Sequence, residues 1–136
     1  MVVGVDASET ALTAAQEAAV IARQLGARLH VVSAVGSSAP MKVGTGANAH
    51  VASGITKAEQ TLADVASRLR GEIEVSVAAA TGKPADVIVA EAERVGADLI
   101  VVGSRRMTGI GRVLGSIAND VAHHAPCSVY IAKTTG

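Results

Sequence analysis

The chain has 136 residues and a mass of 13.6 kDa, which fits one domain, because compact domains usually contain about 100–150 residues. Hydrophobic residues make up 49% and charged residues 18%, so the composition favours a buried core over a disordered or fibrous chain. The 12 basic and 12 acidic residues cancel and Tyr130 is the single aromatic residue, which argues against nucleic-acid or anionic-membrane binding and against sites built on aromatic stacking.

Strand and helix signals alternate through the first third of the chain. Residues 2–6 are a short, β-branched apolar run, and Ser8 is a suitable N-cap for a helix over residues 9–25. Gly26 stands where a left-handed residue ends a helix, and residues 29–35 predict a second strand. The apolar positions at helical spacing are Leu12, Ala15, Ala19, Ala22 and Leu25.

Residues 36–54 have four glycines, one proline and no periodicity. A stretch of this length without regular structure is uncommon inside a compact domain. We therefore expect a flexible or ligand-responsive loop here, within a single domain that covers residues 1–136.

The middle of the chain predicts two further helices and two strands. Residues 55–69 have a helical apolar period and residues 73–80 read as a strand. Pro84 suits a first helical turn, Gly96 ends that helix, and residues 99–102 are continuously aliphatic, as in a parallel strand covered on both faces.

The last part of the chain contains a glycine-rich segment, residues 103–116, which we call the connector. A helix over residues 116–124 and a strand over residues 128–132 follow it. The complete alternation predicts an α/β fold with a parallel sheet, right-handed crossovers and helices on both faces. If the first strand is central, a ligand crevice lies between the ends of strands one and four, and Asp6 and Gly103 face it.

The connector has four glycines and three arginines and leads into a helix start at Ser116. Free backbone N–H groups and the positive end of the helix dipole favour an anion there, and phosphate is the expected one. The alternative is that the glycines only shape a tight connection. A dinucleotide-binding fingerprint does not follow the first strand, and no Walker-type loop occurs.

Three segments resemble the universal stress protein family, and the resemblance covers nearly the whole chain. They are VVGVDASE, ADLIVVGS and LGSIANDVAHHAPCSVYIAKT. The resemblance implies a doubly wound five-stranded sheet in the order 3-2-1-4-5, a homodimer, and a role in stress response. It also implies binding of ATP or another adenine nucleotide, with or without Mg²⁺, in those members of the family that bind nucleotide; the other members are dimeric interaction proteins.

In the nucleotide-binding members the connector reads Gly, two residues, Gly, nine residues, Gly, and then Ser or Thr. Gly103 matches the first glycine, and Gly115 with Ser116 matches the closing pair. Arg106 stands in the place of the middle glycine, and the connector is one residue short. Because a glycine lets the backbone approach phosphate without a Cβ, this departure argues against triphosphate binding.

The resemblance also implies an adenine side of the site, at Asp6 after the first strand, with Val5 and Ala34 lining the base pocket. The predicted binding residues are Val5, Asp6, Ala34, Gly103, Arg105, Arg106, Gly115, Ser116 and Ile117. Four of these assignments have structural alternatives: Asp6 could bond turn amides, Ser116 could be only an N-cap, and the two arginines could be solvated.

No arrangement typical of a catalytic site is present, so we expect at most weak ATP hydrolysis. His123 and His124 are adjacent on a helix and point about 100° apart, which disfavours a shared metal ion and favours a role at the negative end of the helix dipole. His30 lies within a strand pattern and is expected to be packed. Cys127 has no feature that lowers the pKa of its thiol, so we expect a structural residue.

The single cysteine suits a reducing compartment, and no apolar run reaches the roughly 18–20 residues that span a bilayer. We therefore expect a cytoplasmic protein. In the order 3-2-1-4-5, residues 128–132 form a sheet edge without charge before Lys133. An open apolar edge favours pairing with another chain, so we expect a homodimer through Val129, Tyr130 and Ile131.

Overall fold

Strands and helices alternate in the computed structural model, which describes residues 1–5, 9–35, 60–69, 71, 73–104 and 116–133. The strands in these residues are β1 (Val2–Val5), β2 (Leu29–Val35), β3 (Val75–Thr81), β4 (Leu99–Gly103) and β5 (Ser128–Ala132). The helices are α1 (Glu9–Leu25), α2 (60–69), α3 (Pro84–Val95) and α4 (Ser116–His124). The loop expected at 36–54 lies outside the described residues.

All five strands are parallel neighbours in one sheet of order β3-β2-β1-β4-β5, which confirms the predicted α/β architecture. Two strands differ slightly from the sequence prediction. β3 begins at Val75 instead of Ile73 and extends to Thr81 instead of Ala80. Ile73 forms only an isolated bridge, so regular pairing starts two residues later. The β4 strand also includes Gly103, one residue beyond the predicted end.

The predicted helix ends are confirmed by the backbone geometry. Gly26 and Gly96 both have a φ of 65°, the left-handed conformation that glycine adopts without strain from a Cβ. After α3, the Ala97 N–H donates to the Ala92 carbonyl at 2.9 Å. Pro84 occupies the first turn of α3, where its missing N–H removes no helical hydrogen bond.

Each face of the sheet is covered by two helices. On one face, α1 and α2 pack on side chains that include Val3, Val31 and Val101. On the other face, α3 and α4 pack on Val32, Ile100 and their neighbours. Complete burial of an aliphatic side chain contributes roughly 1.5–3 kcal/mol, so the central strands supply much of the folding free energy. The described helices include none that is long and apolar enough to cross a membrane.

Candidate functional site

The two central strands separate at their carboxyl ends. Val2 pairs with Ile100 and Val3 with Val101, and no further pair joins β1 to β4 among the described residues. The flanking ladders continue, since β1 pairs with β2 as far as Val5. On the other side, β4 pairs with β5 as far as its last residue. Strand order reverses at β1 and β4, so this opening lies at the usual ligand crevice of a doubly wound sheet.

The strand registers bring small, uncharged residues to one level at this edge. Val5 is directly opposite Ser33 in β2, and Gly103 is opposite Ala132 in β5. The offset between β1 and β4 places Val5 at the level of Gly103. The described part of the crevice therefore has strand ends without charge, where a flat apolar group of a ligand could lie.

Five of the predicted site residues lie in described parts of the chain. Val5 is buried, and Ala34 and Gly103 are partly exposed at the ends of β2 and β4. Ser116 is the first residue of α4, and Ile117 follows it with 36% of its surface exposed. The registers bring Val5, Ala34 and Gly103 to the same edge of the sheet.

The remaining predicted site residues are Asp6, Arg105, Arg106 and Gly115, and they lie outside the described residues. Their predicted roles in base and phosphate binding therefore stay predictions. At the start of the connector the Ser104 N–H donates to the Ala132 carbonyl at 2.8 Å, so the chain is still hydrogen-bonded to β5 where β4 ends. The connector thus starts on the β5 side of the opening.

Two buried serines near this edge were not among the predicted site residues. Ser33 is 5% exposed within β2, and Ser104 is 1% exposed directly after β4. In the sequence Ser33 directly follows a pair of valines inside β2, and Ser104 follows another pair after one glycine; a serine next to such an apolar pair is the signal that could have identified them.

His30 lies in the amino-terminal half of the sheet, in a polar network away from the crevice. The structure confirms that its side chain is packed, with 9% exposure, and shows that both ring nitrogens are hydrogen-bonded. Nδ1 is 2.7 Å from Ser76 Oγ, and Nε2 donates to Glu91 Oε1 at 2.8 Å. Arg94 donates to both oxygens of the same carboxylate, at 2.8 and 2.9 Å.

This network perturbs the carboxylate strongly. The hydrogen bonds from Arg94 lower the pKa of Glu91 from 4.5 to about 2, with a further contribution from His30 that opposes the effect of burial. Glu91 is therefore ionised at neutral pH and links α3 to β2, and through His30 to Ser76 on β3. We therefore interpret this network as structural, because it holds α3 against the sheet.

The remaining candidates for chemistry lie at the last helix and the last strand. The rings of His123 and His124 have centroids 6.5 Å apart, and the Nδ1–H of His124 donates to the Asp120 carbonyl at 2.9 Å. No group of three potential metal-ligating side chains occurs in the described part of the chain. Burial raises the pKa of the Cys127 thiol, which disfavours a reactive thiolate.

Comparison with known proteins gives a consistent result over the whole chain. The model of the universal stress protein family matches residues 1–133. Universal stress protein MJ0531 of Methanocaldococcus jannaschii is 31% identical over 98% of this chain and 81% of its own length. The chain spans less than two thirds of two other curated relatives, with 36% of a Methanothermobacter thermautotrophicus protein and 59% of a Synechocystis protein aligned.

Two solved structures of universal stress proteins contain adenine nucleotides. One, in complex with cAMP, is 28% identical with a TM-score of 0.79, over 98% of this chain and 96% of the other. The other, from Archaeoglobus fulgidus in complex with dAMP, is 29% identical with a TM-score of 0.74, over 97% and 95% of the two chains.

Proposed function

Because the chain belongs to the universal stress protein family, we propose that it binds an adenine nucleotide in the crevice between the carboxyl ends of β1 and β4. The observation that carries the proposal is the early end of the β1–β4 ladder after Val3 and Val101, while the ladders on both sides continue. A ligand can bind in such an opening between two strand ends without displacing a side chain of the core.

The two ends of the ligand would meet different elements. The base lies on the β1–β2 side, against Val5 and Ala34, where small and apolar side chains fit a flat ring. Asp6, the next residue after β1, accepts a hydrogen bond from the exocyclic amine of adenine. The phosphate lies at the start of α4, where backbone N–H groups at Ser116 have no helical partner.

The ligand we expect is a nucleoside monophosphate in preference to ATP. By resemblance, Arg106 takes the place of a glycine that lets the backbone approach a polyphosphate. A guanidinium at this position can bind one phosphate with two parallel hydrogen bonds, while its Cβ obstructs a longer chain. The cAMP and dAMP complexes of related structures support this preference.

Assembly forms a second part of the proposal. The β5 strand pairs with β4, and no other strand of the described residues lies against it. Tyr130 on this strand is 39% exposed, and Val129 and Ile131 are half-buried. Such an apolar edge is protected when a second copy pairs with it, so we expect a homodimer across β5.

A thermal unfolding experiment with AMP, cAMP, ATP and GMP tests the function. A ligand at a hundred times its dissociation constant stabilises the native state by about 2.7 kcal/mol, which corresponds to a rise in Tm of roughly 10 °C for a domain of this size. We expect this rise with AMP or cAMP, less with ATP, and least with GMP. The Gly115→Val variant should fold and lose the shift, because a β-branched side chain crowds the phosphate.

The second candidate is a dimeric interaction protein of the same family that binds no nucleotide. The replacement of the middle glycine by Arg106 and the shortened connector favour it. The same experiment separates the two: no rise in Tm with any adenine nucleotide at millimolar concentration would contradict nucleotide binding and leave this candidate.

A further inference from the structure

The buried polar side chains of the described residues are three: His30, Ser33 and Ser104. His30 has hydrogen bonds from both ring nitrogens, and Ser104 takes part in an interaction of its own. For the Ser33 hydroxyl, the described part of the chain has no hydrogen-bond partner. Buried hydroxyls are nearly always paired, so the partner of this hydroxyl lies outside the described residues, and a ligand bound at this edge of the sheet would supply one.

The position of Ser33 indicates where that partner lies. Ser33 is directly opposite Val5, the last residue of β1, in the parallel ladder of β1 and β2. Paired residues of neighbouring strands point to the same face, so the hydroxyl lies beside the Val5 side chain at the carboxyl edge of the sheet. Ala34, the next residue along β2, packs on the opposite face, so of the two residues that we place against the base only Val5 shares a face with Ser33.

The strand order also indicates which part of a ligand the hydroxyl can meet. β1 separates β2 from β4, so Ser33 is two strand spacings, about 10 Å, from β4. The connector leaves β4 on the side of β5, and α4 begins beyond it. The phosphate end of the site is therefore remote from Ser33, and the nucleoside end is adjacent.

We infer that the Ser33 hydroxyl hydrogen-bonds the nucleoside part of the bound nucleotide, its base or its ribose. This inference rests on the proposed function, since it concerns the ligand of the same crevice. A serine hydroxyl donates one hydrogen bond and accepts others, so it can pair with a ring nitrogen, an exocyclic amine or a ribose hydroxyl. The contact supplies a partner for a hydroxyl that has none among the described residues.

The Ser33→Ala variant separates a ligand contact from a structural role. We expect its affinity for AMP and for adenosine to fall by the same factor, about fivefold, because the lost hydrogen bond is to the part that the two ligands share. We also expect the Tm of the ligand-free variant to be equal to that of the parent or higher, because the unpaired hydroxyl is removed. Isothermal titration calorimetry gives the affinities, and thermal unfolding gives the Tm.

Ser67→Ala is the matched control, because Ser67 is exposed on α2 and its hydroxyl donates to the Asp64 carbonyl at 2.8 Å. This variant should bind AMP as the parent does. Unchanged affinity of Ser33→Ala, a loss for AMP alone, or a lowered Tm without loss of affinity would each overturn the inference and leave the proposed function intact. If the parent binds neither AMP nor adenosine, the proposed function itself fails, and the role of Ser33 fails with it.

Discussion

Replacement of Glu91 by glutamine tests whether the polar network at His30 stabilises the fold. The change removes the charge of the carboxylate and keeps the size of the side chain. Glu91 is 15% exposed and accepts hydrogen bonds from Arg94 and His30, so the variant weakens the link between α3 and the sheet. It leaves the crevice at the other end of the strands unchanged.

The magnitude follows from the pKa of Glu91, which the network lowers from 4.5 to about 2. This difference corresponds to about 3.4 kcal/mol at roughly 1.36 kcal/mol per pKa unit. The Arg94 side chain is 61% exposed, so solvent screens its share, and we expect about 1–2 kcal/mol. Because the folded-state pKa is depressed, the stabilisation is fully present above pH 4.5 and is lost as the pH falls toward 2.

Urea unfolding at pH 7 and at pH 3 measures this contribution. At pH 7 the Glu91→Gln variant should be about 1–2 kcal/mol less stable than the parent, and this gap should shrink by more than half at pH 3. Glu93→Gln is the matched control: Glu93 is exposed on the same helix, forms no ion pair with the described residues, and should change stability by less than about 0.5 kcal/mol at either pH. Equal stability of Glu91→Gln and parent at pH 7, or a gap independent of pH, would refute the electrostatic explanation.

Three further variants test the packing, a helix end and the assembly. A Cβ at position 4 would overlap the buried Ile88 side chain, so Gly4→Ala should lower the free energy of unfolding by about 1–3 kcal/mol, and an unchanged urea midpoint would contradict this packing. Gly96→Ala places an alanine at a φ of 65° and should cost about 1 kcal/mol in the same assay, whereas a gain in stability would exclude strain there. Ile131→Lys should shift the proposed dimer toward monomer in sedimentation velocity with unchanged circular dichroism, and a parent that sediments as a monomer at tens of micromolar would rule out pairing across β5.

Local sequence patterns determined the elements of this protein. Helical periodicity, Pro84 at a first turn, and glycines after α1 and α3 gave helix boundaries that the structure confirms, because these signals act within a few residues. The run at 99–102 identified a strand buried on both faces, since only such a strand has no polar alternation. The order of the strands came from family resemblance and not from any local pattern.

Contacts between residues that are far apart in the chain could be identified only from the tertiary structure. The partners of His30 are 46 and 61 residues away in the chain, and no periodicity relates such positions. The opening between β1 and β4 depends on where a ladder between strands almost 100 residues apart stops pairing. The burial of the Ser33 hydroxyl, and its lack of a partner among the described residues, also became visible only once β1 and β2 were paired. Local propensity acts over a few residues, while burial and pairing depend on contacts that form only when the sheet closes its core.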